Sequence, residues 1–249
     1  MKVITIANQK GGVGKTTTAQ AILDGLAERG ARVLGVDLDG QCNLSLACGA
    51  NTKSKTALGV LTGELEIEDA IQHLGKIDVV PASPKLTNAD DLIETGEELK
   101  TALERIKGKY DYCIIDTPPA LCKRTLSALI ASEYVVIPAR ADLFSLQGID
   151  ELGDTIAGVR ATRNKRLKVA GILLTAYKSR TSLHKEILEP LTQLADELGT
   201  SLFNATIRDA VAVSEAPFMK TGIFTYAPKA NVTNDYRAFI EELIGRLKP

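Results

Sequence analysis

Net charge, histidine, paired cysteines and long apolar runs are all scarce in this sequence, and each scarcity removes a class of function. Thirty Lys and Arg against 31 Asp and Glu leave a formal charge of −1 over 249 residues. The chain as a whole is therefore no electrostatic partner for nucleic acid, and any DNA binding has to come from a local patch. Cys42, Cys48, Cys113 and Cys122 form no C-x-x-C pair and have no histidine close by in sequence. That spacing argues against a structural zinc site or a disulfide framework and for reduced thiols in a cytoplasmic protein. An iron–sulfur cluster would need two pairs gathered by the fold or across a dimer. His73 and His184 stand in no partner pattern. The N-terminal apolar run, Val3–Ala7, stops at a polar loop and is too short for a signal peptide or a membrane span.

What is present is a composition for burial: 45% hydrophobic and 24% charged residues, typical of an ordered soluble domain. Short apolar runs predict strands at Val3–Ala7, Val33–Leu38, Ile77–Pro81, Tyr112–Asp116, Tyr134–Pro138 and Val169–Thr175, with Ile223–Tyr226 a seventh candidate. Runs such as Cys113-Ile114-Ile115 and Val135-Val136-Ile137 are apolar without alternation, as a strand covered on both faces requires. Helical patterns lie between them, at Thr16–Arg29, Leu92–Lys107 and Leu183–Leu198. The order predicts an α/β fold, a doubly wound, mostly parallel sheet with helices on both faces. No linker, repeat or low-complexity tract interrupts residues 1–249, so a single domain is expected. Ligands of such sheets bind beyond the carboxyl ends of the strands.

The segment from Gln9 to Thr18 reads QKGGVGKTTT between the first strand and the first helix, the context a phosphate-binding loop needs. Gly11, Gly12 and Gly14 let the backbone around Val13 bend with its N–H groups facing an anion. The helix N-terminus, with Thr16 and Thr17 in its first turn, adds partial positive charge. Lys15 is placed to reach the β- and γ-phosphates and the Thr16 hydroxyl to ligate Mg²⁺, so ATP and Mg²⁺ are the expected ligands. Two further strands end in acid: Val33 to Gln41 reads VLGVDLDGQ, with Asp37 and Asp39, and Tyr110 to Pro119 reads YDYCIIDTPP, with Asp116. An aspartate ending a buried strand is costly unless it is paired or near a metal.

The form KGGVGKTT resembles the deviant Walker A motif of the ParA/Soj/MinD ATPases, P-loop NTPases of the SIMIBI kind. The resemblance covers nearly the whole chain. It makes Lys10 the lysine that reaches across a dimer to the partner's ATP. It likens Asp37–Gln41 to a switch I segment, with Gly40 where proline is usual, and has Asp39 place the attacking water and contact the Mg²⁺ shell. Tyr110–Pro119 resembles the Walker B and switch II segment, with Asp116 an outer-shell Mg²⁺ ligand and the two prolines stiffening the γ-phosphate sensor. Val136–Ala139 followed by Phe144–Gly148, and Ser214-Glu215-Ala216-Pro217, resemble two more family segments; Ile207 and Arg208, just before the second, are the expected adenine contacts. Lys10, Lys15 and Asp39 are then the catalytic set, for phosphoryl transfer to water.

On the same resemblance the expected function is a partition ATPase. It would form an ATP-bound homodimer that binds double-stranded DNA non-specifically and is stimulated by a ParB-like partner. A MinD-like or scaffold-positioning ATPase is the alternative, and a metabolic or metal-cluster member of the superfamily a third class. Asp209 and Ala212 stand where relatives often carry DNA-binding arginines, and Lys178 stands where an acid is common. The expected DNA surface is therefore Arg160, Arg163, Lys165, Arg166 and Lys168, joined by Lys178, Arg180 and Lys185 if the fold gathers them. In the last helix Tyr236, Phe239, Ile240, Leu243, Ile244 and Leu247 form one stripe beside a mixed-charge polar side, as expected of a core-packing helix rather than a membrane anchor.

Overall fold

In the computed structural model, which describes residues 1–177 and 182–248 and the side chains of all of these except 182–186, strand and helix alternate through most of the chain. β1 (Lys2–Ile6) turns into α1 (Lys15–Glu28), and β2 (Val33–Asp37) follows. Three short helices, α2 (Asn43–Ala47), α3 (Ala57–Leu61) and α4 (Ile67–Ala70), precede a hairpin of β3 (Gln72–Leu74) and β4 (Ile77–Val80). Two 3₁₀ turns, Pro84–Asn88 and Asp90–Leu92, lead into α5 (Glu98–Arg105) and β5 (Tyr112–Asp116). Next come α6 (Lys123–Ala131), β6 (Tyr134–Arg140), α7 (Leu143–Thr162), β7 (Lys168–Thr175) and α8 (Ser182–Glu197). The helices α9 (Val211–Phe218), α10 (Ile223–Tyr226) and α11 (Asn231–Arg246) follow.

The strands form one sheet in the order β3-β4-β2-β5-β1-β6-β7, antiparallel only between β3 and β4. The period of two along each strand divides the core. Ile4, Ile6, Ile114, Val136 and Leu173 pack with α1 and α11 on one face. On the other face Leu34, Val36, Cys113 and Ile115 pack with Leu99 and Leu103 of α5, while Val135, Ile137, Ile172 and Leu174 pack with α7 and α8. β1 lies between β5 and β6, so the loop leaving its carboxyl end opens where the sheet's connections diverge, the favoured ligand position of such sheets. Tyr236, Phe239, Ile240 and Leu243 of α11, and Leu247 at its C-cap, are buried in the α1 face, as the apolar stripe predicts. No described helix is long and apolar enough to cross a membrane.

Two expectations need correction, and one strand was not anticipated. Ile223–Tyr226 is a helical turn and not a strand. Its neighbours Ile223 and Phe224 both bury into the same α1-facing cluster, whereas adjacent strand residues would point to opposite faces. The helix expected over Leu92–Lys107 begins only at Glu98, because Gly96 sits at φ +80° and the Glu98 carboxylate accepts from both the Thr95 N–H (2.7 Å) and hydroxyl (3.0 Å). That Thr-x-x-Glu spacing is a helix-start signal in its own right. The edge strand β3 went unpredicted: Gln72-His73-Leu74 has no apolar run and is held by its hairpin with β4.

Candidate nucleotide-binding site

The loop between β1 and α1 takes its shape from two glycines. Gly12 (φ +73°) and Gly14 (φ +88°) occupy the left-handed region, which side-chain-bearing residues enter only at a cost of about 1–2 kcal/mol. Gly14 caps α1 without a side-chain hydrogen bond, so the first N–H groups of the helix are left for an anion. The Thr175 hydroxyl at the end of β7 is 2.8 Å from the Val13 carbonyl and 3.2 Å from the Ala139 carbonyl, tying the loop to β6. Asn8 bridges the same parts, with its Oδ1 accepting the Lys10 N–H (2.9 Å) and its Nδ2 donating to the Pro138 carbonyl (2.8 Å).

A cleft of about 720 Å³ opens over this loop, within the range of small-molecule sites. Gly11 to Thr17, Asp39, Ile207 and Arg208 all line it, so the expected phosphate and base contacts converge. The Ile207 end of the cleft is fixed by β-like pairing to β7: the Ile207 N–H donates to the Leu174 carbonyl (2.8 Å) and the Tyr177 N–H to the Ile207 carbonyl (2.9 Å). The Arg208 guanidinium is held by Asp235 at 2.6 and 2.8 Å, so its contribution to the cleft wall is shape more than free charge. Phe218, 88% exposed, joins Leu46 and Val213 at the mouth.

Lys15 is buried, and its ammonium donates to the Lys10 carbonyl at 2.8 Å. Burial lowers its pKa, against the opposing pull of Asp116 and Asp39. Asp116 is fully buried behind Thr16, whose hydroxyl donates to its Oδ2 at 2.7 Å, while its Oδ1 has no hydrogen-bond partner. Burial first, then the nearby Asp37, pushes the Asp116 carboxyl well above the usual carboxylate range. An unsatisfied buried carboxylate oxygen beside a threonine hydroxyl is an arrangement that a divalent cation with its water shell relieves.

The two acids after β2 have different tasks. Asp37 is fully buried and accepts from the Asp39 N–H (3.0 Å), the Ser45 N–H (2.8 Å) and the Ser45 hydroxyl (2.6 Å). Burial raises it to about 6 despite these bonds. It anchors the turn and the start of α2. Asp39 faces the cleft, with one oxygen taking the Gln41 N–H at 3.0 Å. At Gly40 an added Cβ would lie 2.8 Å from the Thr87 nitrogen and 3.1 Å from its Cα, so the turn has no room for the proline usual there. Gly40→Ala is accordingly expected to lower stability by about 1–3 kcal/mol, measured as a fall in the urea midpoint; an unchanged midpoint would show that the Thr87 turn yields freely.

Lys10 and Asp116 do not line the cleft. The Lys10 ammonium folds back onto both oxygens of Asp142, 2.6 Å from each, and lies 5.4 Å from the centre of the Phe144 ring. Asp142 is the N-cap of α7, accepting the Ser145 N–H at 2.9 Å. Burial works to raise its carboxyl, but Lys10 and Ser145 outweigh that and hold it below the usual range. Asp142 and Thr175 are site residues that sequence reasoning missed; the Asp-x-x-Ser spacing before α7 was the available signal for the first, and nothing local marked the second.

The cationic cluster lies at the other end of the sheet, where Lys168 begins β7. The Arg160 side chain donates to the Leu167 carbonyl (2.8 Å) and Arg163 pairs with Glu97 (3.0 Å), which leaves Lys165, Arg166 and Lys168 exposed. Lys178 and Arg180 fall outside the described residues, as does the side chain of Lys185.

Comparison with known proteins agrees with this geometry. A family model described as an AAA domain matches residues 1–169. The chain is 36% identical over 258 residues to the chromosome partitioning protein ParA of Caulobacter vibrioides, covering 99% of this chain and 95% of that protein. It is 38% identical over 246 residues to the chromosome-partitioning ATPase Soj of Thermus thermophilus, covering 98% and 96%. Among solved structures, cobyrinic acid a,c-diamide synthase from Mycobacterium smegmatis with bound ADP and magnesium superposes with a TM-score of 0.82 at 31% identity, covering 97% of this chain and 93% of that one. With relatives at 36% and 38% identity that cover 99% and 98% of it, the chain belongs to the ParA/Soj family of P-loop ATPases.

Proposed function

We propose that the chain is a Mg²⁺-dependent ATPase that forms an ATP-bound homodimer, binds double-stranded DNA without sequence preference and positions DNA or another cargo. Its slow hydrolysis would be stimulated by a ParB-like partner, and the dimer would reside on the nucleoid in the cytoplasm. The observation that carries the reading is the cleft itself: a left-handed glycine loop and a buried lysine line it, and an unsatisfied Asp116 oxygen lies buried behind Thr16. The N–H groups after Gly12 cradle phosphate, with Lys15 on the β- and γ-phosphates. Thr16, Asp116 and Asp39 would hold Mg²⁺, which when bound neutralises phosphate oxygens. Asp39 has a second oxygen free of protein hydrogen bonds among the described residues, suited to orienting a water for attack in line with the leaving oxygen. Ile207 and Arg208 wall the base.

Lys10 is the dimer element in this reading. Its pairing with Asp142, at side-chain exposures of 25% and 32%, is worth on the order of 1 kcal/mol, a barrier that a triphosphate from a second copy easily exceeds. The cobyrinic acid synthase among the structural neighbours points to a metabolic role on the same fold, but the partition proteins match at higher identity. The scaffold-positioning alternative gains from one observation: Arg160 and Arg163 are already engaged, which thins the cationic patch.

Fluorescence anisotropy of a random-sequence duplex at about 0.1 M salt, where exposed charges are screened beyond ~10 Å, separates these. Tight binding with ATP and not ADP, weakening steeply as salt rises, is the expected result. Absence of binding in both states would remove the DNA half and leave an ATPase that positions cargo on another scaffold.

A further inference from the structure

Almost all of the described arginines have a side-chain partner. Arg32, Arg105, Arg124, Arg163, Arg208 and Arg237 pair with carboxylates, and Arg29, Arg160 and Arg246 donate to carbonyls. Among the described arginines only Arg140 and Arg166 have no side-chain partner, and of these two only Arg140 lines the nucleotide cleft. The nearest acid in sequence, Asp142, is occupied on both oxygens by Lys10.

The backbone of Arg140 is held firmly all the same. It ends β6 opposite Thr175 of β7. Its N–H donates to the Ser145 hydroxyl (3.3 Å) and its carbonyl accepts the Asp142 N–H (2.8 Å). Thr175 ties the preceding residue, Ala139, to Val13 in the phosphate loop. A long cationic side chain therefore projects from a base rigidly linked to the loop, while its guanidinium stays solvated and unpaired. That is the preorganisation expected of a group reserved for a ligand. The cleft also needs the charge: among the described residues Lys15 is the only lysine lining it, while Asp39 faces it and Asp116 lies just behind Thr16.

We propose that Arg140 is a further catalytic residue, donating through its guanidinium to the terminal phosphate of the nucleotide in its own cleft. It grips the transferring phosphoryl oxygens, where negative charge redistributes during hydrolysis. The proposal rests on the ATPase reading above. Because it concerns the third phosphate, it distinguishes ATP from ADP.

The test uses the full chain, unmodified and as Arg140→Ala and Arg140→Lys, with fluorescent ADP, a non-hydrolysable ATP analogue and single-turnover hydrolysis, each with Mg²⁺. Arg140→Ala should bind ADP within about twofold of the unmodified chain, which also shows that it is folded. It should bind the ATP analogue ~10-fold more weakly and lose ~10²-fold or more in single-turnover rate. Arg140→Lys should recover analogue binding without the rate, since an ammonium cannot reproduce the bidentate fork. A rate within twofold in Arg140→Ala, an equal loss of ADP and analogue, or loss of DNA binding with normal hydrolysis would overturn the proposal. If the unmodified chain bound neither nucleotide, the ATPase reading would fall and the proposal with it.

Discussion

Replacing Lys15 with alanine is expected to reduce single-turnover ATP hydrolysis by about 10³-fold while moving the urea midpoint of the nucleotide-free chain very little. The two halves have one cause. Without nucleotide the Lys15 ammonium is buried and has one hydrogen bond, to the Lys10 carbonyl, with burial working against its charge. Its attraction to Asp116 and Asp39 opposes that penalty, and the balance is on the order of 1 kcal/mol. The same ammonium facing a triphosphate is not replaced by another lysine of its own copy among the described residues, because Lys10 is turned away on Asp142. Lys15 is therefore a group kept in readiness at little net gain to the fold. Retention of more than a tenth of the unmodified rate would show that other cations carry the phosphates. A large loss of stability would show that Lys15 is structural instead.

Asp24→Asn should stabilise the protein at pH 8 and leave it unchanged at pH 3. Asp24 of α1 lies against Gly222, with its Oδ2 buried and without a hydrogen-bond partner. Burial, helped by Glu28 one turn on, pushes its carboxyl up to about 7 from the ordinary 3.8. Between those values the folded chain holds a proton that the unfolded chain has released. Stability from this group is thus fully present below pH 3.8, declines as pH rises through about 7, and is level above. The full difference is on the order of 4 kcal/mol, large against a typical domain stability of about 5–15 kcal/mol. Urea unfolding from pH 4 to pH 8 should show the decline in the unmodified chain and a flatter curve in the variant. Parallel curves would mean that water or a neighbouring cation compensates the carboxylate. Lys76 and Lys220 line the same small cavity and are the nearest candidates for that compensation.

Much of the architecture was legible because its signals are local. Six of the seven expected strands are present, since a parallel strand buried on both faces must be apolar throughout. The phosphate loop was legible because its glycines, lysine and threonine act within a single turn. What escaped was either weakly patterned or non-local. β3 is held by a hairpin and not by an apolar run. Ile223–Tyr226 carries strand-favouring residues that packing overrides. The roles of Thr175, Asp142 and Arg140 come from strands meeting at distant positions of the chain. The resemblance singled out Asp39, but the anchoring role of Asp37 was not legible: β2 stops at Asp37, so Asp37 is buried under the turn while Asp39 faces the cleft.

β7 separates the cleft from the uncommitted cations by the length of eight residues, or ~26 Å. A nucleotide at one pole does not touch the cations at the other, so in the DNA-binding reading stoichiometry is the simplest link between the two. In that reading one copy would offer Lys165, Arg166 and Lys168, for a salt slope of about −3, and a pair would offer twice as many phosphate contacts, for about −5. Triphosphate would then act as a valency switch, turning two weak, fast-dissociating grips into one cooperative hold. Hydrolysis would release the DNA by parting the copies, with neither cationic surface changed.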